Sequence, residues 1–213
     1  MSDTKERLID AALEVLRERG LAGISARNVA AAAQVNQALI FYHFKSVDGL
    51  LDEACRMSAD AAVATYRERF AAVESLGDLL AVGREIHTTE LATGRVAVAA
   101  QVLAGARASE VLGRAGKYAL DGWAAEIEPV LRRVLAGTPI AEIADVPGLS
   151  RAIAASFVGL ELYEGVDPAG STAALDALER LAVLADVVTD LGPVARAALR
   201  RRMKGRGAHA GKR

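Results

Sequence analysis

An all-α fold follows from three features of the sequence. Alanine fills roughly a fifth of the 213 positions, prolines number 5 and β-branched runs are few, a balance that favours helix over sheet. Hydrophobic residues make up 52% and charged residues 25% of the chain, enough for one generous core or for a small module joined to a larger one. Apolar residues recur at helical spacing between capping residues along most of the length. In order, Asp3 and Glu6 suggest a capping box, Leu8, Ile9, Ala12, Leu13 and Leu16 form one face, and Gly20 stands where a left-handed cap would end the first helix. Ser25 caps a short second helix through Ala33, and Asn36 caps a third over 37–43 after the connection Gln34-Val35. Two short helices joined by a tight turn are a helix-turn-helix candidate. From Val47 longer helices are expected over 48–72, 76–92, 95–106, 109–136, 150–165, 171–190 and 193–203. Breaks fall at Gly94, at 137–148 with its two prolines, and at Asp167-Pro168. No period of 20 to 50 residues repeats, which excludes a solenoid.

Composition removes several function classes. Lys and Arg number 26 against 27 Asp and Glu, so net charge alone neither demands nor forbids a polyanionic partner. The lone Cys55 cannot form an internal disulfide, and the opening MSDTKERLIDAALEV is charged and amphipathic rather than a signal segment, so a cytoplasmic protein is expected. The most apolar stretch, 96–106, includes Gln101, is bracketed by Arg95 and Arg107, and falls short of the ~20 residues a bilayer requires. No membrane partner is expected. An enzyme needs a nucleophile with a base, a metal cluster or a cofactor loop. Cys55 is alone and the histidines are scattered at 43, 87 and 209, so neither catalysis, cofactor nor metal is expected.

Charge distribution gives the first positive clue. Residues 21–47 contain no Asp or Glu but carry Arg27, His43 and Lys45. A surface that approaches phosphates gains from such a window, because each carboxylate would repel and each cation releases counterions. Phe41, Tyr42 and Phe44 are three of nine aromatics and cluster around His43. On a helix they cannot all face inward. Phe41 and Phe44 are expected to close the module core, with Ile24, Val29, Ala30, Val35, Leu39 and Ile40, while Tyr42 and His43 project polar tips sideways.

The run Ser25-Ala-Arg27-Asn-Val29-Ala30-Ala-Ala-Ala33-Gln-Val35-Asn36-Gln-Ala-Leu39-Ile40-Phe41-Tyr42-His43-Phe44-Lys45, followed by Asp48 and Leu50-Leu51, resembles the DNA-binding signature of TetR-family transcriptional regulators. The turn departs from that signature, carrying Gln34 where the family commonly has glycine. The resemblance implies a recognition helix from Asn36 entering the major groove, with Asn36, Gln37 and Ala38 toward base edges. Gln37 could pair with adenine and Ala38 could touch a thymine methyl. It also implies phosphate contacts from Tyr42, His43, Lys45, Ser25 and Arg27.

The division implied is a DNA-binding module at 1–47, a regulatory and dimerisation domain at 48–190, and a C-terminal helix with basic tail at 191–213. The family's partners would be a near-palindromic duplex and a second copy of the chain, with recognition helices about 34 to 36 Å apart. The dimer surface would come from the last two long helices. There Ala174, Leu178, Leu181, Ala185 and Val188 form a heptad-like seam, with Leu175 and Ala182 alongside and Ala152, Ser156 and Gly159 on the neighbouring helix. The same stripes could instead face their own subunit's core.

An effector pocket is implied in the larger domain, its occupancy tilting the helix from Asp48 with a coupling of ~1 to 3 kcal/mol. Scarce polar and aromatic residues there are Tyr66, His87, Glu90, Tyr118, Trp123, Phe157 and Tyr163, although aromatics of this kind also serve as ordinary core. His87 and Glu90 share a helical face, and a solvated pair is the simpler expectation for them. The segment 191–213 has eight Lys or Arg and no acid, which suits a solvated tail or sequence-independent attraction to DNA. The resulting expectation is a ligand-responsive repressor acting as a homodimer. The alternatives are a helical oligomer using its first module for protein contacts, and a DNA-binding regulator with no small-molecule ligand.

Overall fold

The computed structural model describes residues 3–138, 140–142 and 144–189, and these form helices with no strand among them. The helix expected at 193–203 and the basic tail lie outside the described residues. The first helix, α1 (Asp3–Arg19), carries Asp3 and Glu6 in its first turn and Arg17 and Arg19 in its last, the arrangement that complements a helix dipole. Gly20 ends it at φ 68°, but its ψ of −175° is not that of a left-handed helical cap, and the chain passes into a 3-10 turn, Leu21–Gly23.

Ser25 caps α2 (Ala26–Ala32) as the sequence predicts, its hydroxyl accepting the Asn28 N–H at 3.2 Å. Gln34 then takes φ 54°, so the turn keeps left-handed geometry without glycine, at a cost of about 1 kcal/mol. Local bonds hold it there. Val35 N–H donates to Ala30 O at 3.0 Å, and Arg7 reaches across from α1 to donate to Ala33 O at 2.6 Å. The next helix, α3 (Ala38–Phe44), starts one residue later than expected, and Asn36 Oδ1 accepts the Ala38 N–H at 2.8 Å. Ser46 caps α4 (Val47–Ala71) by accepting the Gly49 N–H at 2.9 Å. A Cβ at Gly49 would overlap the Phe44 carbonyl oxygen, so glycine is what lets α3 and α4 meet this closely.

Five further helices follow: α5 (Leu76–Thr93), α6 (Arg95–Gly105), α7 (Glu110–Val134), α8 (Val146–Glu164) and α9 (Pro168–Thr189). α8 and α9 start before the expected 150 and 171, and they take in Pro147 and Pro168, where breaks are expected. Each instead sits in a first turn, where the missing N–H costs nothing and the fixed φ suits a helix.

Three apolar clusters organise the packing. Leu8, Ile9, Val15, Val29, Ile40, Phe44 and Leu50 close α1 to α3 onto the start of α4. Tyr66, Phe70, Ile86, Ile127, Leu131 and Ala154 join α4, α5, α7 and α8. Between them Leu16, Leu51, Cys55, Val98, Val102 and Leu112 tie α1, α4, α6 and α7. Phe41 does not join the first cluster as expected. It is 49% exposed, because the buried side of α3 is set by Ile40 and Phe44, four residues apart, and Phe41 is rotated off that line.

Polar clamps connect the clusters. Gln101 on α6 donates to Leu16 O at 2.9 Å and accepts the Leu21 N–H at 3.0 Å, gripping the end of α1 from both sides. Arg84 on α5 ties down α9 through Glu179 at 2.5 Å and Asp176 at 2.6 Å. Leu175 and Ala182 face their own chain, whereas Leu178, Leu181, Ala152, Ser156 and Gly159 are exposed and Ala174 is half-buried. Ala185 and Val188 lie outside the residues whose side chains are described. No described helix is long and apolar enough to cross a membrane.

Candidate functional site

The acid-free window folds into one surface. With Ile40 and Phe44 buried, the opposite side of α3 displays Ala38 and Tyr42, the latter 72% exposed, and Gln37 stands exposed at the N-cap. Tyr42 and His43 stack edge to face with ring centroids 4.9 Å apart, and His43 makes a second edge contact with Phe44, which leaves the imidazole half-buried. Lys45 ends the helix at φ 68° and lies exposed, its ammonium 3.5 Å from Tyr42 O. Arg27 is exposed in the first turn of α2. Ser25 and Asn36 use side-chain oxygens as caps, which pre-orders the two helix starts. The face therefore offers rigidly placed donors, an exposed aromatic and no carboxylate from its own window. Phe41 adds an apolar contact beside Tyr42 that the sequence reading assigned to the core.

A second feature lies deeper. A cavity of about 120 Å³ opens between α4, α6, α7 and α8, lined by Cys55, Ala62, Val98, Val102, Leu103, Ala115, Trp123 and Phe157, with Glu90, Arg95 and Glu161 also on its wall. Of the seven residues singled out by scarcity, Glu90, Trp123 and Phe157 line it. Tyr66 and His87 stand behind the wall, and Tyr118 and Tyr163 lie elsewhere, exposed and bonded to Asp60 and Asp167.

The expectation of a solvated His87 and Glu90 pair is corrected. Both are buried, and each has a partner from another element. Glu90 accepts from Tyr66 Oη at 2.9 Å and from Arg95 Nε and Nη2, both at 2.6 Å. His87 Nδ1 lies 2.8 Å from Glu161 Oε1, and its Nε2 lies 3.5 Å from Glu164 Oε2. Tertiary packing overrides the local helical pairing, since α8 supplies carboxylates that the isolated sequence of α5 does not show. Burial raises the pKa of Glu161, opposed in part by His87. Burial, reinforced by Asp52, pushes the Cys55 thiol up to about 12, so it carries almost no thiolate at neutral pH. Arg95, Glu161 and Glu164 were missed by the sequence reading. The signal was present in the last two, which are acids three apart near the end of a mostly apolar helix.

Comparison with known proteins agrees with this geometry. The sequence model for bacterial regulatory proteins of the tetR family matches residues 8–54. The probable HTH-type transcriptional regulator YttP of Bacillus subtilis (strain 168) is 39% identical over 49 residues, which span 23% of this chain and 24% of that protein. This chain thus aligns with about a quarter of that curated relative. Over the whole fold, a TetR-family regulator from Rhodococcus sp. superposes with a TM-score of 0.68, covering 88% of this chain and 99% of the other at 23% identity. The multidrug binding protein EbrR, solved with imidazole, gives 0.63 at 26% identity over 85% of this chain and 96% of its own. Residues 8–54 thus match the helix-turn-helix module of the tetR family of bacterial regulatory proteins, and the all-helical fold around them is shared with solved TetR-family regulators.

Proposed function

We propose that the chain is a cytoplasmic, ligand-responsive repressor that binds a near-palindromic operator as a homodimer. The observation that carries the reading is the face of α3. Ala38 and Tyr42 stand exposed on a helix whose other side is locked into a core, with Gln37 exposed at its start, Arg27 and Lys45 flanking them and no acid between residues 21 and 47. In this reading α3 enters the major groove, Asn36, Gln37 and Ala38 meet base edges, and Ser25, Arg27, Tyr42, His43 and Lys45 hold phosphates. The division into a module at 1–47 and a regulatory domain at 48–190 belongs to the same proposal.

Dimerisation is assigned to α8 and α9. Leu162, Leu178, Leu181, Val183 and Val187 are exposed there, and Ala152, Ser156 and Gly159 leave room for a close helix approach. The effector is assigned to the cavity beside Trp123 and Phe157, and the structural likeness to EbrR, a multidrug binding protein, supports it. Two elements would carry the coupling. The α4 helix begins at the end of α3 and lines the cavity with Cys55 and Ala62, while α6 lines it with Val98 and Val102 and grips α1 through Gln101. A ligand that favours one packing of α6 would thereby reset the recognition helix, by a coupling of ~1 to 3 kcal/mol.

Footprinting on the DNA that flanks the coding region tests this. Two protected half-sites one helical turn apart are expected, lost in Leu181→Glu together with the dimer on size-exclusion chromatography. Protection without two-fold symmetry, or a dimer indifferent to that charge, would contradict the reading.

A further inference from the structure

The cavity carries a charge imbalance that identifies a class of ligand. Three carboxylates, Glu90, Glu161 and Glu164, gather at and behind its wall, and Arg95 already directs both of its observed donors to Glu90. His87 serves one oxygen of Glu161, and the other, Oε2, is buried with no hydrogen-bond partner although the side chain is only 10% exposed. Glu164 Oε2 is likewise buried without a hydrogen bond. Glu161 lines the apolar cavity, and its buried, unpartnered oxygen is an unmet demand for a donor, met best by one that carries positive charge.

We infer that this cavity takes an amphipathic organic cation, its aromatic or alkyl body against Trp123 and Phe157 and its ammonium or similar group at Glu161 Oε2. The inference rests on the reading of the cavity as the effector site and adds the chemistry of the effector. Other occupants fit less well. An anion would meet the carboxylates while the Arg95 donors seen are both directed to Glu90, and a neutral ligand could at most donate a hydrogen bond to Glu161 Oε2 without balancing its charge. A metal ion lacks a ligand set, since no group of three or more His, Cys, Asp or Glu able to hold one occurs among the described residues. The volume of about 120 Å³ compares with the ~10–15 Å³ that one water needs, so the site has room for a small ring and a short linker. The raised pKa of the Glu161 carboxyl is the same demand expressed as proton affinity.

Three near-isosteric probes separate charge from shape: phenethylamine, which is cationic at neutral pH, 2-phenylethanol, which is neutral, and 3-phenylpropionate, which is anionic. Binding to the full chain is followed by the fluorescence of Trp123, the single tryptophan, and by calorimetry. The amine should bind at least tenfold tighter than either companion. In Glu161→Gln, which keeps the shape and a hydrogen-bonding partner for His87, the amine should fall to the level of the alcohol while the alcohol is unchanged. Equal or tighter binding of the alcohol or the anion, a cation preference that survives Glu161→Gln, or no response of Trp123 to any probe would each overturn the inference. DNA affinity measured alongside separates this from the underlying reading. A bound amine that leaves operator binding unchanged removes the effector role but not the ligand class, whereas release by the anion removes the ligand class but not the effector role.

Discussion

The recognition module and the larger helical region place their polarity on opposite sides. In the module the interior is aliphatic and aromatic, from Leu8 to Phe44, while Arg27, Gln37, Tyr42 and Lys45 face outward. In the larger region His87, Glu90, Ser150, Glu161 and Ser171 are buried, and the outward faces of α8 and α9 carry Leu162, Leu181 and Val187. A surface that reads a polyanion needs its donors in water until the partner arrives, and a site for a small molecule needs them inside. Substitutions should therefore separate stability from binding in the module and couple them in the larger region.

The largest expected effect tests the module's inside against its outside. Ile40→Ala should cost about 3 kcal/mol in urea unfolding, because a fully buried side chain leaves a cavity, whereas Tyr42→Ala on the same helix should stay within about 0.5 kcal/mol. Comparable losses for the two would break the comparison. Next, Arg95→Ala strips Glu90 of both guanidinium bonds and should cost about 2 kcal/mol, less than the ~3–5 typical of a fully buried pair because Arg95 is one-third exposed. Its unfolding midpoint and its affinity for a cavity ligand should shift together. Gln101→Ala removes two bonds between α6 and the end of α1 and should cost about 1 kcal/mol. Its sharper signature is a weaker ligand effect on DNA affinity, read by titrating operator with and without ligand.

The smallest effect is a pH trend at Glu161. Its folded pKa is raised, so the folded chain holds that proton more tightly than the unfolded chain, and the stability it contributes is present below the ordinary Glu range and lost as pH rises through the raised value. Glu161→Gln should gain in melting temperature relative to the parent as pH goes from about 5 to about 8. A constant difference across that range would place the burial penalty elsewhere.

Legibility followed the same division. The module could be read because its signals are local: Ser25 three residues before Asn28, Asn36 two before Ala38, and an acid-free run along consecutive positions. Even there, the side of α3 that Phe41 takes depended on how the helix docks. The larger region could be read for helix existence but not for its polar network, because Glu90 meets Tyr66 from another helix and His87 meets Glu161 from 74 positions away. Gln101 looked like one polar residue in an apolar run, and only the packing of α6 against α1 shows it as a clamp. The prolines misled in one direction, since a proline marks a helix start as readily as an end.

The central claim is that α3 and its flanks, rather than cationic surface in general, bind DNA. Fluorescence anisotropy with DNA flanking the coding region, at two salt concentrations, tests it with Tyr42→Ala and Lys45→Ala beside two exposed cations of α7, Lys117→Ala and Arg132→Ala. The account predicts at least a tenfold loss for the first pair and a salt slope reduced by about 1 for Lys45→Ala, with the α7 variants unchanged. Equal losses in both pairs, or none in the first, would contradict it.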